Sequence, residues 1–167
     1  MAAGMQAEKL FWSFLSEIPT ATFVEDVRND LRWQQLDVDF RVLSRQGVFG
    51  LTGWINVEGK SDRHLDQSGN WIFELYRVNH TAPLPRIYVR GWSVRSEAHL
   101  LLFYAPSSHR IHSITMNDYR IAFANAVRIG DCRFDPVQTD NIKTTINAYF
   151  PERFAHGMPS YRVKNLT

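Results

Sequence analysis

Apolar side chains recur at Leu10, Phe11, Phe14, Leu15 and Ile18. This spacing predicts an amphipathic helix over about residues 5–18, ended by Pro19. Thr22 and Glu25 stand three apart, the arrangement of a capping box. A second helix is expected from there to about Gln34, with Val24, Val27 and Leu31 turned inward. From residue 38 the period changes to two, and Val38, Phe40 and Val42 alternate with Asp39 and Arg41 as on a half-buried strand. A turn near Gln46 and Gly47 leads into a second strand, about 51–60. Leu51, Gly53, Ile55 and Val57 share one of its faces; Thr52, Trp54, Asn56, Glu58 and Lys60 share the other. NWIFELYRV (70–78) predicts a third strand, and the short separations favour an antiparallel meander.

HTAPLPR (80–86) is a loop, and Ser93 is placed to cap a short helix, SVRSEA. HLLLFYA (99–105) is almost wholly apolar, the pattern of a strand covered on both faces. A short strand near Ile111–Ile114 follows, then a helix from about Asp118 to Arg128, capped by Asn117 and stopped at Gly130. Residues 140–149 read as a last helix before Pro151, and the tail from His156 as irregular. No repeat or linker divides the 167 residues, which suit one domain with a core of about 20–130 and a C-terminal extension, 131–167. The order of elements predicts an α/β (α+β) fold with a mixed sheet.

Charge refines this picture. Fifteen of the nineteen basic residues are arginine, whose planar fork suits bidentate phosphate contacts. Residues 1–40 carry three basic groups against seven acidic ones, whereas residues 77–133 carry eight arginines against three acidic groups. A single cysteine, Cys132, excludes an internal disulfide framework and a four-cysteine zinc site. The opening MAAGMQAEKLFWSFL has no positive region followed by an apolar run, so no signal peptide is expected. The apolar stretch LLLFYA is too short to span a bilayer, so no membrane partner is expected and a cytoplasmic location is.

Glu58 and Lys60, two apart on a strand, project together at roughly 6.5–7 Å along its axis. Asp39, on the polar face of the preceding strand, would stand opposite them. Two converging carboxylates make a hard-oxygen site suited to Mg²⁺ or Mn²⁺, with places left for water and a substrate phosphate. Lys60 would orient the water or offset charge growing on the phosphate.

LDVDFRVL, holding Asp39, followed by INVEGKSD, holding Glu58 and Lys60, resembles the PD-(D/E)XK nuclease superfamily of metal-dependent DNA-cutting enzymes. The likeness continues through SGNWIFEL (68–75), RGW (90–92) and SEAHLLLFYA (96–105), an order similar to phage-type members, and covers about residues 25–105. It implies a restriction-endonuclease-like core, with a central mixed β-sheet flanked by helices. It also implies catalysis by Asp39, Glu58 and Lys60, a Mg²⁺ or Mn²⁺ ion held by Asp39 and Glu58, and a DNA substrate. Two features depart from the pattern: Val38 precedes the aspartate where proline is common, and Gly59 stands where an apolar β-branched residue is usual. Asp37 competes with Asp39 for the role, and the match to Leu-x-Val-Asp favours Asp39.

Accessory roles fall to Glu25, Gln35, Asp62 and Glu74, each with a plainer reading. Glu25 caps a helix, Gln35 is surface, Asp62 and the nearby His64 lie in a polar loop, and Glu74 pairs with an arginine across strands. Arg63, Arg77, Arg86, Arg90 and Arg95 are the expected phosphate contacts. Trp54 stacks on a base or packs under a helix, while His109 and His112 are expected to be solvated. Cutting both strands of a duplex would need two active sites, so a homo-oligomer, dimer or tetramer, is expected. The alternative is a catalytically inactive nucleic-acid-binding or protein-interaction module on the same fold. An acid–base pair of Asp39 and Glu58 for glycoside hydrolysis would leave Lys60 and the arginine bias unexplained.

Overall fold

The computed structural model describes residues 3–61, 63–80, 87–138 and 143–166. In chain order the elements are α1 (Ala3–Ser16), β1 (Ala21–Asp26), α2 (Leu31–Gln35), β2 (Phe40–Val48), β3 (Leu51–Ser61), α3 (Arg63–Ser68), β4 (Asn70–Asn79) and β5 (Ile87–Arg90). There follow α4 (Trp92–Arg95), β6 (Leu100–Ala105), β7 (Arg110–Thr115), α5 (Met116–Arg128), β8 (Arg133–Gln138), β9 (Lys143–Pro151), α6 (Arg153–His156) and β10 (Arg162–Asn165). The fold is mixed α/β, with a central mixed sheet flanked by helices. That sheet runs β1-β2-β3-β6-β7-β10, and a second runs β5-β4-β9-β8. β3 and β6 are parallel; the other pairs are antiparallel. None of the described helices is long and apolar enough to cross a membrane.

Alternation along the strands sorts two cores onto opposite faces of the central sheet. On one face Phe40, Val42, Ile55, Val57, Leu100 and Leu102 meet Ala7, Phe11, Phe14 and Leu15 of α1. On the other, Leu101, Phe103 and Ile114 meet Tyr119, Ala122 and Ala126 of α5 and Trp71, Phe73, Ala148 and Phe150 of the second sheet. Every residue of β6 is therefore buried, as its continuous apolar run predicts. The aromatic packing is close: Phe73 stacks on Phe123 with ring centroids 3.9 Å apart, and Trp71 meets Phe103 edge-on at 4.6 Å.

Four segments differ from the sequence-based expectation, each for a long-range reason. Residues 21–26 form β1 rather than the start of a capped helix. Pairing along β2, from Ala21 with Ser44 to Asp26 with Phe40, gives this backbone more hydrogen bonds than a capping box, which satisfies two amides. What helix remains is α2, capped by Asp30, whose side chain accepts from the Arg32 amide. β4 leaves the meander because β6 occupies the edge of β3 that it would have used, from Val57 opposite Leu100 to Ser61 opposite Tyr104. It pairs instead with β9, the segment expected to be helical. There the β-branched Thr144, Thr145 and Ile146 and the aromatic Tyr149 and Phe150 suit a strand held between β4 and β8. The tail supplies β10, which pairs with β7.

Smaller adjustments are local. The β2–β3 turn lies at Phe49 and Gly50, both with positive φ (52° and 81°), as a two-residue type I′ hairpin requires. Gly47 instead sits where the β2–β3 register shifts. Thr115, not Asn117, caps α5, and Gly91 precedes α4, while the Ser93 hydroxyl accepts from the Glu74 amide.

Candidate functional site

The site begins where β2 enters the central sheet. The Asp39 amide donates to Val57 O (2.9 Å), which extends the Phe40–Val57 pairing by one residue and sets Asp39 opposite Glu58. The Asp39 and Glu58 carboxyls lie within hydrogen-bonding reach of each other. Lys60, two residues on, turns its ammonium onto the Glu58 carboxylate in a direct ion pair, although about a third (32%) of its side chain stays exposed. Glu58 itself is almost sealed, at 2% exposure.

Gly59 faces the other way, toward α1. A Cβ built there would come within 2.7 Å of the Phe11 ring, so a β-branched side chain would collide with the helix. The Gly59 amide donates to Asp39 Oδ2 (2.9 Å) and thereby holds the carboxylate beside Glu58. Gly59→Val is accordingly expected to cost about 1–3 kcal/mol. Urea melts should show this, with a smaller loss when Phe11→Ala makes room, a non-additivity expected of residues in contact.

Burial raises Glu58 most. The Lys60 charge opposes it, the Asp39 charge adds to it, and the carboxyl is pushed up to about 8. Burial likewise raises Asp39, against the pull of Lys60 and of the Gly59 amide. Lys60 is lowered by burial, but the Glu58 charge and hydrogen bond outweigh that and hold its pKa above the ordinary lysine value. Without a cation, the two carboxylates therefore retain a proton at neutral pH. Desolvated, adjacent oxygens of this kind fit a hard divalent cation, whose charge would displace that proton. Among the described residues no group of three or more His, Cys, Asp or Glu side chains is arranged to hold a metal ion. An ion here would lean on Asp39 and Glu58 alone, with water, backbone and substrate oxygens completing its shell.

Asp37 stands apart. Its backbone has a φ of 51°, and its Oδ1 accepts from Arg95 Nη2 at 2.8 Å, while its carbonyl accepts from the Ser96 hydroxyl. The aspartate that meets Glu58 is Asp39, and Asp37 adds negative charge from a short distance.

Beside Lys60 opens a cavity of about 210 Å³ lined also by Ser61, Ile72, Glu74, Trp92, Phe103 and Asn147. The Lys60 Nζ lies 5.0 Å from the Trp92 ring centroid. Glu74 accepts from Arg77 Nε (2.8 Å), three residues along its own strand rather than across strands, and from the Trp92 amide (3.2 Å). The glutamate of SGNWIFEL and the Gly-Trp of RGW thus meet in space. Asn147 was invisible to sequence reasoning because its segment read as a helix. Its Oδ1 is buried without a hydrogen-bond partner among the described residues.

The remaining sequence candidates are spread out. Glu25 is a strand residue whose carboxylate pairs with Arg41 at 3.1 Å, and Gln35 is exposed at the end of α2. Arg95 and Arg77 are engaged by Asp37 and Glu74, and Arg90 is exposed on β5. Asp62 and Arg86, and the side chains of Arg63 and His64, lie outside the described residues. Trp54 is not under a helix but 41% exposed. His112 is fully buried rather than solvated: its Nδ1 meets the Tyr161 hydroxyl at 2.7 Å, and that hydroxyl donates to Glu152 at 2.6 Å. No signal near His112 announces this, because its partners, Glu152 and Tyr161, come 40 and 49 residues later in the chain. Comparison with protein-family models, with curated proteins and with solved structures returns no match for this chain.

Proposed function

We propose that this chain is a divalent-metal-dependent DNA endonuclease of the PD-(D/E)XK kind, hydrolysing phosphodiester bonds at Asp39, Glu58 and Lys60. The observation that carries the reading is the meeting of two desolvated carboxyls and an ion-paired lysine on one sheet face beside a cavity. Asp39 and Glu58 would hold Mg²⁺ or Mn²⁺, which when bound supplies Lewis-acid stabilisation and a water of lowered pKa. Lys60 orients the attacking water through its ammonium and offsets negative charge as the oxygen–phosphorus bond forms and the bond to the leaving oxygen breaks. The Gly59 amide and the Arg95–Asp37 clamp fix the flank from which the carboxylates project. Cutting both strands of a duplex would bring two copies together.

Supercoiled plasmid with Mg²⁺ or Mn²⁺ tests this. Nicking is expected from the wild-type protein, lost in EDTA and reduced about 10²–10³-fold in Lys60→Ala, the scale seen when one charge-stabilising donor is removed. Equal nicking by both proteins would sink the role of Lys60. DNA binding without any cutting would favour the inactive binding module, a reading that the self-contained Glu58–Lys60 ion pair also suits.

A further inference from the structure

The face of the central sheet that carries Glu58 continues along β1, β2 and β3, where Trp33 of α2 lies against Arg41 and the rings of Phe23 and Trp54 stand exposed beyond it. The register writes it as rows. Phe23, Leu43 and Trp54 lie side by side; the next row is Glu25, Arg41 and Asn56; the next contains Asp39 and Glu58. Phe23 and Trp54 are 55% and 41% exposed, and their rings meet edge-on with centroids 6.0 Å apart. α1 packs on the opposite face. Arg41 is held between two indoles, 4.2 Å from the Trp54 centroid and 4.5 Å from that of Trp33. The guanidinium thus backs one side of Trp54 and fixes the ring.

We propose that this open face is a stacking platform for an unpaired nucleic-acid strand that runs on into the Asp39–Glu58–Lys60 row. The proposal rests on the nuclease reading and names its substrate class: a single strand, or the unpaired part of a branched or frayed one. Exposed rings offer stacking to bases of any identity. Bases inside a duplex already stack on each other, so an unpaired strand is the form that presents its faces. Trp54 precedes Glu58 by four residues on one strand face, roughly 13 Å, a span that a short single strand stacked on Trp54 can bridge toward the Lys60 end of the row. The charged groups on the platform are Arg41 and Glu25, paired to each other, with the exposed Arg32, itself paired to Asp30, near Glu25. Affinity there comes from stacking more than from phosphate neutralisation, and its salt dependence should be shallow.

Fluorescence anisotropy in EDTA, where cutting is absent, reads binding separately from catalysis. The probes are a labelled oligothymidylate of about twelve nucleotides, within the usual single-strand site size, and the matching duplex. The single strand is expected to bind at least about tenfold more tightly than the duplex, with Trp54→Ala and Phe23→Ala each weakening it roughly five- to a hundredfold and Trp54→Phe keeping most of the affinity. Thermal melts check folding; should Trp54→Ala fail to fold, Phe23→Ala, at the more exposed ring, decides. Duplex binding as tight as single-strand binding, or alanine variants that bind like wild type, would overturn the platform. Ring-dependent binding together with no plasmid nicking in Mg²⁺ or Mn²⁺ would leave the platform standing and remove the nuclease reading. Lys60-dependent nicking with ring-independent binding would do the reverse.

Discussion

Metal-free wild-type protein is expected to lose stability as pH rises from about 5 to above 8, and Glu58→Gln to flatten most of that loss. The sign follows from the direction of the shift. Glu58 titrates near 8 in the folded chain against an ordinary 4.5, so across that window the native state keeps a proton that the unfolded chain has released. The stabilising contribution is complete below about 4.5 and gone once the pH has passed through the folded value. A shift of this size corresponds to something on the order of 5 kcal/mol. Asp39, also raised by burial, adds a smaller slope of the same sign that survives in the variant. Urea melts at intervals from pH 5 to 9 measure the effect, and a flat wild-type profile would contradict it. Millimolar Mg²⁺ or Mn²⁺ should restore wild-type stability above pH 7 far more than below pH 6, because a cation binds the deprotonated pair. That readout is independent of any DNA cleavage.

Gly91→Ala is expected to destabilise the protein by roughly 3 kcal/mol or more. A Cβ at residue 91 would lie 2.2 Å from Glu74 O and 2.6 Å from Glu74 C, atoms of a strand backbone that cannot turn aside. The two chains are drawn together there by the Gly91 amide, which donates to Leu75 O at 2.7 Å, and by the Trp92 amide, which donates to Glu74 Oε1. Parting them would loosen Trp92, against which the Lys60 ammonium rests, and open the cavity wall. Gly130→Ala is the control. Its φ of 76° penalises a side chain, but nothing lies within 4 Å of the added carbon, so its cost should stay near 1 kcal/mol. Denaturant midpoints compare the two, and a Gly91→Ala variant no weaker than Gly130→Ala would refute the close-approach argument.

The strands that carry the candidate site were legible because their information is local. Period-two alternation from Val38 to Lys60 assigns Asp39, Glu58 and Lys60 to one face with no knowledge of what covers the sheet, and β2 and β3 pair accordingly. The all-apolar run of β6 likewise announced burial on both faces. β1 was misread because a capping box satisfies two amides within four residues, while the ladder that replaces it depends on a strand some twenty residues later. β9 finds β4 across about seventy residues, and neither its helical misreading nor the absence of the second sheet from the expectation has a local remedy. His112 looked solvated for the same reason, since Tyr161 and Glu152, which bury and bond it, come with the final turn of the chain. Gly59 shows the converse. A residue that looked like a flaw in the strand is small because Phe11, forty-eight positions earlier, occupies the space its side chain would take.

That glycine also has a spectroscopic consequence. Its backbone N–H is bonded to the Asp39 carboxylate on one side, and the Phe11 ring of α1 fills the space where its side chain would stand on the other. A single amide resonance, that of Gly59, should therefore move both when Asp39 changes charge or takes up a cation and when the first helix shifts on the sheet. An N-terminal truncation and a metal titration would then be read at one and the same peak.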